Sequence, residues 1–156
     1  MTTTGNEDVV DTTYAGHHKD NDYRQVLEEI KRKGECPFCP ENLPRANTII
    51  YRAGKWVSIK NRWPYEHAAV HFVFVPDEHK TDIGAVSGDD WNDIQALIEK
   101  LRQENPILQI GGGLVVRFGT NSGVTVRHLH FHLIAPVTDP STGKVVPGEH
   151  VNFPIG

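Results

Sequence analysis

Three histidines at alternate positions, His128, His130 and His132, stand in the segment Arg-His-Leu-His-Phe-His-Leu-Ile. In an extended chain alternate side chains share a face, so the imidazoles project to one side while Leu129, Phe131 and Leu133 project to the other, into a core. Alternate Cα atoms lie roughly 6.6 Å apart and the outer two of this trio roughly 13 Å apart, against a Zn–N bond of about 2.1 Å. Three rings so spaced do not readily meet on one ion. They suit an extended polar ligand better, with the middle ring at the reacting atom and its neighbours on flanking oxygens, as along a phosphate ester or anhydride. Imidazole fits that work because an ordinary pKa of about 6.5 leaves it largely neutral near pH 7, able to attack and to pass protons. The competing readings are a solvated strand face carrying ordinary polar residues, and a zinc-dependent hydrolase with His128 and His130 as ligands.

The second constellation is Cys36-Pro37-Phe38-Cys39. Two cysteines two residues apart form a metal half-site or a redox pair, not a disulfide framework. A redox pair normally stands between a strand and a helix that lowers the first thiol's pKa. Here a charged helical segment precedes the pair and Pro40 follows it, so two thiolates of a tetrahedral zinc site, completed by two histidines, are the expected chemistry, with two reduced buried thiols as the alternative.

The elements that must position these groups are legible in part. Residues 1–22 lack apolar periodicity and read as a disordered leader in which His17 and His18 do no chemistry. Tyr23, Val26, Leu27 and Ile30 recur at helical spacing, and Gly34 stands where such a helix stops. The proline-rich stretch from Cys36 to Pro44 is a knuckle. Residues 48–52 and 55–60 form a hairpin through Ala53-Gly54. An irregular loop around Trp63-Pro64-Tyr65 precedes residues 70–75, an apolar run expected to be a central strand carrying His71. Ser87 caps the main helix, whose stripe is Trp91, Ile94, Leu97, Ile98 and Leu101. A strand over 114–118, a loop over 119–123 and a final strand over 124–135 follow, and the remainder runs extended over the surface. Gly111-Gly112-Gly113 is not a phosphate loop, because no Gly-Lys-Ser/Thr follows and the next element is a strand.

These elements make one α+β domain over residues 23–156, a mainly antiparallel sheet of about five strands with one long helix packed on it and the triad strand facing a cleft. The 16 basic and 20 acidic side chains leave a net charge of -4, which gives no general attraction to nucleic acid or membrane surfaces, so an anionic ligand must be held by local groups. No apolar run is long enough to cross a bilayer and the first residues do not form a secretory signal, making the cytoplasm the expected compartment.

The motif His-Leu-His-Phe-His-Leu-Ile resembles the signature of the histidine triad family. The likeness extends from about Cys36 to Gly156: Asn61 to His79 is similar to that family's Asn-containing loop, His-bearing strand and trailing Pro-x-x-His. Cys-Pro-Phe-Cys is similar to the pair found in many bacterial members, and the last residues resemble the aromatic-Pro-x-Gly tail of one branch.

That resemblance implies nucleotidyl transfer to histidine, then hydrolysis or phosphorolysis. His130 is the implied nucleophile on an α-phosphorus. His128 and His132 would orient it and stabilise phosphoryl charge, and His71 is a fourth imidazole for the leaving group or phosphate. Asn61 is implied at the ribose and Thr125 at the phosphate. His79 and His128 are the implied partners of Cys36 and Cys39 around a structural zinc, with no cofactor needed for catalysis. The substrate would be a purine nucleotide or dinucleoside polyphosphate, and the assembly a homodimer. Two positions depart from the pattern: Val124 replaces a common Gln, and Arg117 replaces an Asn or Gln. A guanidinium at 117 suggests a bidentate phosphate clamp and a more highly charged substrate, or else an exposed strand charge. Because of these departures a non-catalytic nucleotide- or partner-binding module is the second reading.

Overall fold

A computed structural model describes residues 9–11 and 21–156. Helix α1 (Asn21–Lys33) ends at Gly34 and leads through the cysteine knuckle into a short helix α2 (Leu43–Ala46). Strands β1 (Ile49–Ala53) and β2 (Trp56–Lys60) form the expected hairpin, turning at Gly54 with φ of 52°, a left-handed conformation glycine adopts at little cost. Strand β3 (Ala68–Pro76) follows, then helix α3 (Gly88–Glu104), helix α4 (Pro106–Ile110), strand β4 (Gly113–Val116) and strand β5 (Phe131–Pro136).

The five strands form one antiparallel sheet in the order β1-β2-β3-β5-β4, so β3 is central as its apolar run requires. Register assigns the faces. One face carries Trp56, Phe72, Phe74, Phe131 and Leu133 against Ile94, Leu97 and Leu101 of α3, the main core. Cross-strand partners Ile59, Val73, His132 and Val115 form a rank across the sheet. Ile59 and Val73 pack with Val57, Val75 and Leu43 in a separate cluster, on the face away from α3.

The cap of α3 is the one its sequence encodes. The Ser87 side chain accepts from the Asp90 N–H, and the Asp90 carboxylate accepts from the Ser87 N–H, a reciprocal capping box. Asp90 is also buried against the sheet and accepts from Trp56 Nε1 at 2.8 Å, joining helix to β2.

Four expectations are corrected. The final strand does not begin at 124: residues 124–130 run beside the sheet outside the ladder. Their N–H groups are spent elsewhere, Arg127 on Val9 O and Leu129 on Lys80 O, so of the three histidines only His132 lies in β5. The strand read over 114–118 ends at Val116, and Arg117 is buried beyond it, which removes the exposed-charge reading. The tail after Pro136 does not simply cross the surface; it makes a bridge between Thr138 and Val145 and returns to dock Gly156 N on Ser122 O. Of the leader, residues 1–8 and 12–20, including His17 and His18, lie outside the described residues, whereas Val9–Asp11 is docked, with Val10 wholly buried and bridged to Val126.

Candidate functional site

A cavity opens on the sheet face away from α3. Its floor includes Ile59 and Val73, its inner wall His130, His132, Arg117 and Thr125, and its mouth Asn61, Arg62 and Trp63. The sequence motif thus divides: His130 and His132 line the cavity, whereas His128 and His71 do not.

His130 is fixed by its own chain. Its Nδ1 lies 2.8 Å from the carbonyl oxygen of His128, and since a carbonyl only accepts, Nδ1 carries the proton and Nε2 the lone pair of the neutral ring. Burial pushes the pKa of His130 down to about 4, the Arg117 charge acts in the same direction, and the His128 carbonyl opposes. A buried imidazole so placed is neutral at pH 7 and nucleophilic at Nε2.

His132, its ring centroid 4.9 Å from that of His130, is oriented from behind. The backbone N–H of Tyr65 donates to His71 Nδ1 at 3.3 Å, so the His71 proton sits on Nε2 and is donated to His132 Nδ1 at 2.8 Å. The His132 proton is thereby set on Nε2. The Tyr65 ring stacks on His71 at 5.2 Å, and Asn61 Nδ2 lies against the same ring, 3.2 Å from Nδ1 and 3.0 Å from Nε2. His71 is therefore placed to act through His132, not on a ligand in the cavity.

Arg117 is committed to its own fold. One terminal nitrogen donates to Tyr65 Oη at 2.6 Å, the other to the carbonyls of Gly123 and Pro154, and the guanidinium lies over the Phe153 ring at 4.5 Å. Only Nε has no hydrogen-bond partner among the described residues. Three of the five N–H groups of the guanidinium are thus spent on Tyr65 and the tail, so Arg117 helps to hold the tail while it also lines the cavity. Gly123, with φ of 77°, completes the lock: a Cβ there would come within 3.0 Å of the Gly156 carbonyl. Phe153 meets the His132 ring at 5.0 Å, which brings the tail to the back of the site. Thr125 lines the cavity with its hydroxyl 2.7 Å from that of Tyr23, and Asn61 lines it with Oδ1 accepting from the Trp63 N–H.

Tyr65 and Phe153 were not picked out as site residues by their sequence. Tyr65 had only its neighbourhood to the Asn61 loop as a signal. Phe153 had its place in the aromatic-Pro-x-Gly tail.

On the other side of His130 four donors converge. Cys36, Cys39, His79 and His128 bring one ligand atom each, all within 4.8 Å of one another. His128 Nε2 donates to the Pro76 carbonyl at 2.8 Å, which leaves the Nδ1 lone pair facing Cys36 Sγ at 3.4 Å and Cys39 Sγ at 3.7 Å, while His79 Nδ1 lies 3.4 Å from Cys39 Sγ. A tetrahedral zinc with bonds of about 2.1 Å to nitrogen and 2.3 Å to sulfur separates such ligand atoms by roughly 3.5 Å, so the donor set fits the ion. Burial, reinforced by Cys36, pushes the Cys39 thiol up to about 12, a protonated state that a cation would reverse. His130 is not among the four donors.

Comparisons with known proteins bear on the family and the fold. A family model described as "Scavenger mRNA decapping enzyme C-term binding" matches residues 35–145. An uncharacterized HIT-like protein of Chlamydia trachomatis is 29% identical over 87 residues, covering 54% of this chain and 77% of that protein. A HIT family hydrolase from Clostridium thermocellum is 28% identical with a TM-score of 0.50, over 72% of this chain and 90% of that one. A structure titled "Hit Like Protein" shares the fold at a TM-score of 0.54 and 22% identity, over 62% of this chain and 96% of that one. With the triad, the sheet and the family match over most of its length, the chain belongs to the histidine triad (HIT) family, in its form with a Cys-x-x-Cys near the start.

Proposed function

We propose that the protein is a nucleotide hydrolase that works through a covalent nucleotidyl-histidine at His130. The observation that carries this reading is the proton placement: Nδ1 of His130 is held on the His128 carbonyl, and the ring lines the cavity beside His132. In the first step the Nε2 lone pair forms a bond to the α-phosphorus, and the bond to the leaving oxygen or nitrogen breaks, its electron pair leaving with that atom, which takes a proton from solvent. The positive charge that develops on the imidazole is met at Nδ1 by the carbonyl oxygen. His132 Nε2–H donates a hydrogen bond to a non-bridging phosphoryl oxygen and keeps its proton throughout. In the second step water attacks phosphorus, the N–P bond breaks, a nucleoside monophosphate and a proton are released, and His130 returns neutral.

A phosphoanhydride or phosphoramidate of a purine nucleotide fits this chemistry. The family's description names a decapping enzyme, which favours the anhydride. Arg117 is the reason to prefer a dinucleoside polyphosphate: its terminal nitrogens hold Tyr65 and the tail, and its Nε, without a hydrogen-bond partner among the described residues, is the group it has left for a phosphate at the cavity it lines. Asn61 and Thr125, both at the cavity, are the proposed ribose and phosphate contacts. Zinc on Cys36, Cys39, His79 and His128 is proposed as structural, because four protein donors leave no open position for a substrate. A cytoplasmic homodimer is the proposed form; the exposed Ile110, and Leu114 on the outer strand β4, offer apolar area for a second copy.

Protein quenched during turnover of a panel of nucleoside phosphoramidates and dinucleoside polyphosphates should carry the mass of one nucleotidyl group at His130. His130→Ala should lose that adduct and at least about 10³-fold of product release, while still binding AMP. Continued turnover by His130→Ala would eliminate the covalent route. AMP binding by the wild-type protein without product from any substrate would favour the binding module.

A further inference from the structure

Helix α1 precedes residue 35, where the family match begins, and yet it forms one wall of the cavity. Tyr23, Val26, Leu27 and Ile30 recur at i, i+3, i+4 and i+7, and all four line it. Leu27 is the anchor, packed with the buried Val10 and Val126. Tyr23 is a second tie, its hydroxyl 2.7 Å from Thr125 Oγ1 and its ring edge-on to Trp63 at 5.0 Å. Val26 and Ile30 are neither fully buried nor exposed, and the cavity they line has Ile59 and Val73 of the sheet on its other side. A helix that merely completed a core would close on the sheet; here a hollow bounded by hydrocarbon is kept between them, continuous with the wall that holds His130 and His132.

Resting on the nucleotide reading above, we infer that α1 is the roof of the base-binding slot, in which Val26 and Ile30 cover the heterocycle of the bound nucleotide from above while Ile59 and Val73 support it from below. A planar, weakly hydrated ring suits such a slot, because it gains contact on two faces without needing a polar partner from either. The roof acts through contact area and shape, leaving polar recognition to the mouth of the cavity. It is an addition of this chain to the residues that the family model covers.

The test is AMP affinity by titration calorimetry on the full chain. Val26→Trp and Ile30→Trp fill the slot from the roof side and should each weaken AMP at least about 10-fold, the loss of well over a kcal/mol of binding. Val26→Ala and Ile30→Ala, which only trim the roof, should weaken it about 3- to 10-fold. These serve if the larger side chains prevent folding, which circular dichroism and the melting midpoint report. Gln25→Ala, on the exposed side of α1, should bind as wild type. Folded roof variants that bind AMP with wild-type affinity would overturn the roof while leaving the nucleotide site in place. A wild-type protein that binds no mononucleotide would overturn the nucleotide reading, and the roof with it.

Discussion

The rings of His130 and His132 lie 4.9 Å apart, yet hydrogen-bond partners place their protons on opposite nitrogens, one bound to a carbonyl and the other directed away from His71. This asymmetry suits one ring to the proposed attack and the other to donation. It depends on His71, so His71→Ala should lower kcat about 10²-fold through misplacement of His132 while AMP affinity stays within a few-fold, as steady-state kinetics and calorimetry would read. Arg117→Ala removes the bonds to Tyr65, Gly123 and Pro154 together and should cost about 2–4 kcal/mol in urea unfolding. A phosphate clamp would instead appear mainly as weaker nucleotide binding with little loss of stability. Alternation in the sequence was enough to sort His130 and His132 from Leu129, Phe131 and Leu133. It did not say which nitrogen of each ring carries the proton, because the Tyr65 N–H and the His128 carbonyl that decide it are set by tertiary contacts.

Among the elements, α3 shows how far local chemistry reaches. Its cap and its stripe are both in the sequence, and the helix forms where Ser87 and Asp90 require. Burial alone would raise the Asp90 carboxyl, but the Ser87 N–H, Trp56 Nε1, the Ser87 hydroxyl and Lys80 together hold it below its ordinary value. A carboxyl lowered in the folded state stabilises above the unfolded pKa of about 3.9. That contribution fades as acid is added and is gone once pH falls below the depressed folded value. Asp90→Ala should therefore cost about 1–3 kcal/mol at pH 7 and much less near pH 3, a difference that denaturant melts at the two pH values would measure. The hairpin, β3 and α3 were readable because their determinants are local: a Gly turn, an apolar run, a capping box. The segment 124–130 was not, since its alternation is that of a strand, and only the distant carbonyls of Val9 and Lys80 take its N–H groups out of the ladder. Helices α2 and α4 are too short for periodicity to declare them, each beginning at or beside a proline.

For the molecule as a whole, the sheet separates two environments: a dry core under α3 and a face that carries the cavity and the Cys/His cluster. Among the described residues no helix is long and apolar enough to cross a membrane. The purified protein should contain one zinc per chain by plasma mass spectrometry, lost in Cys36→Ser or Cys39→Ser. Its removal by a chelator should lower the melting midpoint by about 10 °C, on the scale of a tight ligand withdrawn from a domain of this size. A catalytic metal would instead show as activity lost with the midpoint unmoved. The α+β architecture, a five-stranded antiparallel sheet with one long helix, was legible from the pattern. The closing of the tail on Arg117 was not, because it joins Pro154 to a residue 37 positions earlier, with no periodic signal between them.

His128 serves two masters. Its ring faces the sulfurs of Cys36 and Cys39, and its carbonyl, on the same residue, holds Nδ1 of His130, the proposed nucleophile. On the proposed zinc and nucleotide readings, starving the protein of zinc should thus dull a reaction in which the ion takes no part, with turnover number falling before substrate affinity does. Through one peptide unit, the supply of a trace element in the surroundings would become a throttle on nucleotide breakdown.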